Sequence, residues 1–193
     1  MACRLQGLIG GIDESGRGPL AGPVVSSCVI WKNLPDTKRG VNDSKLLSEK
    51  DRLAIFPWIQ EQAYRIGVGI VTHEDIDKLN IHQASLLSME RALEDAGIRP
   101  DELLIDGRFG IRSFPRSRPI IKGDRKCFFI AAASIVAKVV RDSIMNTYHN
   151  LYPLYHFDRN KGYPTKEHKA AIGQFGVLPI HRKTFKGVRE YLA

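Results

Sequence analysis

Four acidic residues stand at the ends of short apolar runs, each with glycine close by: Asp13 and Glu14 in GGIDESGRG, Asp106 in LLIDGR and Asp124 in IIKGDR. Taken singly, each reads most simply as a turn former whose carboxylate bonds nearby backbone amides. If the three sites meet in space, that reading gives way. Crowded carboxylates repel one another, and the repulsion is relieved by a proton or a metal cation. A donor set of Asp and Glu without His or Cys favours a hard cation with oxygen ligands, hence Mg2+ or Mn2+ and not Zn2+. Two such ions suit phosphodiester hydrolysis: they activate a water, hold the scissile phosphate and stabilise the departing 3′ oxygen.

The surrounding pattern predicts how these acids are positioned. Residues 6–12 and 23–31 read as apolar strands, with DES-GRG-PLAG as the loop between them. Ser48 and Asp51 form a capping-box pattern that opens a helix over 49–63, which Pro57 is expected to bend or interrupt. Residues 64–72 make a third strand, and Thr72 caps one helix that runs to Gly97 and Pro100. ELLID at 102–106 is a fourth strand and RPIIKGD at 118–124 a fifth. An alanine-rich helix follows over 127–152, and a shorter one over 166–175.

This order predicts an α/β fold with a mixed five-stranded sheet flanked by helices. The first three strands form a meander, and the fourth lies parallel to and beside the first. The ends of strands one and four then share one sheet edge, where open α/β sheets carry their sites. Consecutive strand residues face opposite sides, so Asp13 and Glu14 share a site only if the backbone turns there, which Gly16 and Gly18 would permit. We expect a catalytic domain over 1–152 and a smaller helical and loop region over 153–193 that completes a substrate groove. Asp142, beside Arg141 on the long helix, is expected in a structural salt bridge or in a contact behind the metal-binding acids, and not on a metal itself.

The 193 residues are 43% hydrophobic and 26% charged with a net charge of +8, which points to an anionic partner such as nucleic acid. No apolar run approaches the ~20 residues that cross a bilayer. The first residues lack the pattern of a secretory leader, so a cytoplasmic protein without membrane attachment, and a monomer, is expected. Cys3, Cys28 and Cys127 match no metal or redox spacing, and Cys28 and Cys127 read as small core residues.

The ordered blocks DESGRGPLAGPVV, NDSKLLS, LIDG, KGD, AAASIVAKVVRD, NKGYPTKEH and HRKTF, spanning Gly10 to about Arg189, resemble the bacterial type 2 ribonucleases H, the ribonuclease HII family. The resemblance implies a ribonuclease H-like fold with a small C-terminal helical region. It implies cleavage of the RNA strand of RNA–DNA hybrids, and incision 5′ of single ribonucleotides embedded in duplex DNA, leaving 3′-hydroxyl and 5′-phosphate ends. It also implies that Asp13, Glu14, Asp106 and Asp124 hold two Mg2+ or Mn2+ ions. By the same likeness the Gly16-Arg17-Gly18 turn reads the 2′-hydroxyl beside the scissile phosphate, Arg17 and Lys45 touch phosphate, and Tyr163 stacks on the following deoxyribose. Glycines without Cβ atoms would let a turn backbone approach a sugar, whose 2′-hydroxyl separates RNA from DNA. Replacing Gly16 or Gly18 with Val is expected to impair cleavage while the fold remains. Lys161, Lys166, Lys169, Arg182, Lys183 and Lys186 are expected to supply a footing on phosphates.

Two other readings compete. A binding module without catalysis would explain the basic charge and the aromatic loop, but carboxylates beside a phosphate would then only weaken binding. A nucleotide-binding enzyme would explain a glycine-rich loop, yet no GxxxxGK[ST] pattern is present.

Overall fold

The computed structural model describes residues 7–35, 40–41, 44 and 46–192. Five strands, β1 (Ile9–Ser15), β2 (Val24–Trp31), β3 (Arg65–Val71), β4 (Glu102–Asp106) and β5 (Arg118–Ile120), form one sheet in the order β3-β2-β1-β4-β5. The β1-β2 and β2-β3 pairs are antiparallel, whereas β1-β4 and β4-β5 are parallel. This is the mixed sheet that the strand order predicts, with β4 beside β1.

Alternation along the strands divides the core into two layers. Ile12, Cys28, Ile30, Leu103 and Ile105 face Met89, Ala92 and Leu93 of α3 (Ile81–Asp95). On the other face Ile9, Val29, Trp31 and Leu104 meet Phe129, Ile130 and Ala133 of α4 (Phe128–Leu151) and Ile59 of α1 (Glu49–Gln62). Each fully buried aliphatic side chain contributes about 1.5–3 kcal/mol. Gly11 lies on the α4 face, where a Cβ would stand 2.0 Å from the Phe129 carbonyl oxygen. The missing side chain lets α4 rest directly on the β1 backbone, which brings its Ala131–Ser134 stretch down to the strand end.

Several boundaries differ from the sequence-based expectation. The first strand does not stop before the acids: β1 continues through Asp13 and Glu14, pairing Glu14 with Ser26 and Ser15 with Val25. The 49–63 helix passes Pro57 as one element, and its capping box is present, with Asp51 N–H donating to Ser48 Oγ (3.1 Å) and Ser48 N–H to Asp51 Oδ2 (3.3 Å). The helix beginning after Thr72 splits into α2 (His73–Leu79) and α3 at Asn80. Asn80 takes a left-handed φ of 68°, and its Oδ1 accepts from the amides of His82 and Gln83 at 3.0 and 3.1 Å. Asn is among the few residues that adopt such a φ and also cap a helix.

The fifth strand is only three residues long. Left-handed Lys122 turns the chain into a 3-10 turn over Gly123–Arg125 that feeds α4. Beyond α4, the short α5 (Phe157–Asn160) and α6 (Lys166–Phe175) gather Tyr155, Phe157 and Ile172 around Leu20, Ala21 and Met145, so the C-terminal segment shares a core with the loop after β1. Cys28 is fully buried, which pushes its thiol up to about 12, and Cys127 is half-buried; Cys3 lies outside the described residues. Among the described residues no helix is long and apolar enough to cross a membrane.

Candidate active site

Ile12 and Ile105 are the last register pair of the parallel β1-β4 ladder, and both face α3. The next residues, Asp13 and Asp106, therefore stand side by side on the α4 face at the carboxyl edge of the sheet. Asp106 Oδ1 accepts the Gly123 amide at 2.7 Å, which ties β4 to the turn carrying buried Asp124. Glu14 follows Asp13 without a backbone turn, so its side chain leaves on the opposite face. Its amide donates to Asp13 Oδ1 at 2.7 Å, while its Oε1 accepts from Arg17 Nη1 at 3.3 Å.

Burial, and then the charges of Glu14 and Asp106, raise the Asp13 carboxyl well above the usual carboxylate range, against the lowering effect of hydrogen bonds from Ser134 and the Glu14 amide. A carboxylate held under such repulsion gains from a cation nearby. The donor set at this edge consists of carboxylate oxygens, which fits a hard divalent ion. Among the described residues no three His, Cys, Asp or Glu side chains are drawn together closely enough to hold an ion by themselves.

Behind Asp13 a chain of contacts runs outward. Ser134 Oγ lies 2.7 Å from Ser44 Oγ, and Arg52 Nη1 donates to the carbonyls of Ser44 (2.7 Å) and Leu47 (2.6 Å). Asp142 is a structural charge, paired with Lys138 at 2.6 Å and Arg52 at 3.8 Å.

Arg141 and Arg182 serve another end. Arg182 is fully buried and donates to the carbonyls of Gly16 (2.6 Å), Arg17 (3.0 Å), Gly22 (3.0 Å) and Pro23 (3.1 Å). Arg141, equally buried, donates to Pro23 (3.0 Å), Lys161 (3.0 Å) and Ala21 (3.3 Å). The loop after β1 is thus wrapped around two guanidinium groups. Arg182 and Lys161 do not provide the phosphate footing that the sequence suggests: Arg182 is enclosed, while Lys161 is 7% exposed and bonded to Asn146 and Glu49. Lys166, Lys169, Lys183 and Lys186 are exposed.

The turn itself offers Gly16 at φ 100°, an Arg17 side chain half open to solvent, and Gly18. Tyr163 is exposed beside it, and a Cβ on Gly18 would lie 3.6 Å from its ring. Lys138 Nζ stands 6.0 Å from that ring's centre. An open cleft of about 570 Å3 continues from Gly18 and Leu20 along Lys169, Phe185 and Lys186 to Tyr191. Lys45 lies outside the described residues. The structure therefore brings Asp13 beside Asp106, ties Asp124 to that pair through Gly123, and sets Tyr163 against the Gly16-Arg17-Gly18 turn.

The model of the ribonuclease HII family matches residues 10–188. The chain belongs to that family. It is 53% identical to the ribonuclease HII of Clostridioides difficile over 178 residues, covering 92% of this chain and 69% of that protein. The ribonuclease H2 of Pyrococcus horikoshii OT3 superposes with a TM-score of 0.78 at 25% identity, covering 95% of this chain and 96% of that one. Bst-RNase HIII in complex with Mn2+ shares the fold at a TM-score of 0.65 and 19% identity, over 96% of this chain and 69% of that one. The family fixes the activity as that of a ribonuclease H endonuclease, a metal-dependent hydrolase acting on nucleic acid.

Sequence reasoning missed the two arginine braces, because their partners are backbone carbonyls, which no residue pattern displays. His168 and His181 form a second buried polar feature of this region. Both rings are fully buried, with Nε2 atoms 3.0 Å apart. Burial first, then the neighbouring His168, push His181 down to about 4, and burial lowers His168 as well. The unfolded chain therefore takes up these protons first. The stabilisation is complete above about pH 6.5, is lost as the pH falls towards 4, and for His181 follows about 1.4 kcal/mol per pH unit. Melting curves of the parent and His181→Gln between pH 7 and 4 should converge as the medium is acidified. A constant gap would show that His181 is not held neutral.

Proposed function

We propose that this endonuclease cleaves the RNA strand of RNA–DNA hybrids and incises on the 5′ side of a single ribonucleotide in duplex DNA, leaving a 3′-hydroxyl and a 5′-phosphate. Asp13, Glu14, Asp106 and Asp124 are the proposed catalytic and metal-binding residues, holding two Mg2+ or Mn2+ ions. When bound, the cations activate the attacking water and neutralise charge at the leaving 3′ oxygen. The observation that supports this most is the placement of Asp13 beside Asp106, one residue beyond the last register pair of β1 and β4, with Asp13 destabilised as an anion by burial and then by the charges of Glu14 and Asp106. Mg2+ commonly takes one or two carboxylates plus substrate phosphates, and a site completed by the scissile phosphate agrees with acids that do not form a closed cage alone.

In this reading Asp13 and Asp106 bind from the sheet edge and Asp124 from the turn before α4, while Glu14, although β1 stays extended through it, is the foremost charge acting on Asp13 and would reach the site round the open strand end. The Gly16 and Arg17 carbonyls are already engaged by Arg182, so the turn would meet a ribose 2′-hydroxyl with backbone N–H groups. Arg17 and Lys45 would bind phosphate. Tyr163 would lie against the next deoxyribose, and the 153–193 region would complete the duplex groove with its exposed lysines beside the 1–152 catalytic domain. The protein is proposed to act as a cytoplasmic monomer.

A duplex carrying one ribonucleotide tests this directly. With Mg2+ or Mn2+ it should be cut once, 5′ of the ribose, giving a 3′ end that a polymerase extends without phosphatase treatment. Cleavage that persists in EDTA, or tight binding without any cleavage in Mg2+, would refute the proposal.

A further inference from the structure

The hydrogen atoms around the two buried histidines have only one neutral arrangement. The Leu178 amide can only donate, and it points at His181 Nδ1 from 2.8 Å, so that nitrogen is bare and the His181 proton sits on Nε2. The Tyr163 carbonyl can only accept, and it lies 2.9 Å from His168 Nδ1, so His168 carries its proton there and its Nε2 is bare. His181 Nε2–H then donates to His168 Nε2. One directed chain runs from Leu178 through both rings to the Tyr163 backbone, and an added proton anywhere along it would set two donors against each other.

The next residue reaches the other recognition element. Arg182 holds the Gly16 and Arg17 carbonyls, its amide donates to the Leu20 carbonyl at 2.8 Å, and the Ile180 carbonyl accepts from Gly22 at 2.9 Å. Two adjacent side chains thus brace both walls of the space between Tyr163 and Gly18. Neither imidazole is exposed, so neither touches substrate. The rings are clamped by Phe157, 5.2 Å from His168 and 6.3 Å from His181, and by Tyr155, 5.6 Å from His181. Beyond the pair itself, the titratable group acting on His181 is His73, and Tyr155 packs on its ring.

We propose that His168 and His181 are positioning residues which hold Tyr163 at a fixed stand-off from the Gly16-Arg17-Gly18 turn and thereby set selectivity for a ribonucleotide followed by a deoxyribonucleotide. This rests on the reading of Tyr163 and the turn as sugar-facing elements. His168→Asn keeps a donor for the Tyr163 carbonyl in place of Nδ1–H, whereas His168→Leu does not, and both leave His181 Nε2–H without its acceptor.

The experiment compares single-turnover cleavage of a duplex with one embedded ribonucleotide and of a continuous RNA–DNA hybrid by the parent, His168→Asn, His168→Leu and Tyr163→Ala. His168→Leu should lower the embedded-to-hybrid rate ratio about tenfold, the scale of one hydrogen bond, and His168→Asn should restore it to within about threefold of the parent. Their melting temperatures should be similarly reduced. Ratios that are equal in the two His168 variants, while Tyr163→Ala changes the ratio, would overturn the positioning role alone. An unchanged ratio in Tyr163→Ala would overturn the underlying reading. If His168→Leu does not fold, 15N spectra of the parent imidazoles decide: the expected result is His168 protonated at Nδ1 and His181 at Nε2, and the opposite pair of tautomers overturns the chain.

Discussion

Asp13→Asn and Asp106→Asn should each lower cleavage by at least ~10³-fold at saturating Mg2+ while duplex binding survives, the scale of losing a charge that acts on the transition state. The two positions are equivalent in the parallel ladder, one residue beyond Ile12 and Ile105, so either substitution removes an oxygen anion from the same edge. Asp13→Asn carries a second signature. Its carboxyl is buried and raised by Glu14 and Asp106, so at neutral pH the charge costs stability, and the neutral amide should raise the melting temperature of the metal-free protein. A core residue with a merely structural role would behave oppositely, losing stability and activity together. Rates from single-turnover cleavage and melting in EDTA check both parts. Parent-level cleavage by either variant would remove that residue from the site.

The strand order, the parallel placement of β4 beside β1 and the nearness of Asp13 to Asp106 were legible because each follows from local pattern plus a few topological rules. The boundaries that failed did so for identifiable reasons. Asn80 breaks a helical run by backbone conformation, although the apolar spacing around it continues. Residues 13–15 look like a loop because Asp, Glu and Ser are poor strand formers, yet pairing with Ser27, Ser26 and Val25 holds them extended. Basic residues are the least legible class. Lys161 and Arg182 sit in a lysine-rich segment that suggests a phosphate footing, and only the fold reveals that one is paired and the other enclosed by the loop it supports.

Those same arginines change the outcome expected at the glycine turn. Gly16→Val cannot leave the fold intact, because Gly16 has φ 100° and a Cβ there would stand 2.1 Å from Arg141 Nε and 2.8 Å from the Pro23 carbonyl oxygen, which both arginines hold in place. Displacing a buried guanidinium from its carbonyls costs about 1.5–3 kcal/mol for each hydrogen bond lost, and the backbone strain adds to it. A drop of roughly 10 °C or more in melting temperature is expected, with cleavage lost on every substrate. Gly18 lies in a different environment: its φ is ordinary, and an added methyl would meet only the Tyr163 ring at a normal contact of 3.6 Å. Gly18→Ala should therefore melt as the parent does, yet place a methyl group in the space where the ribose is proposed to lie. We expect about a tenfold loss of cleavage at an embedded ribonucleotide, comparable to losing one hydrogen bond to the sugar. Measured beside the parent, a stable Gly18→Ala protein with undiminished cleavage of both substrates would show that this turn braces the loop without reading the sugar.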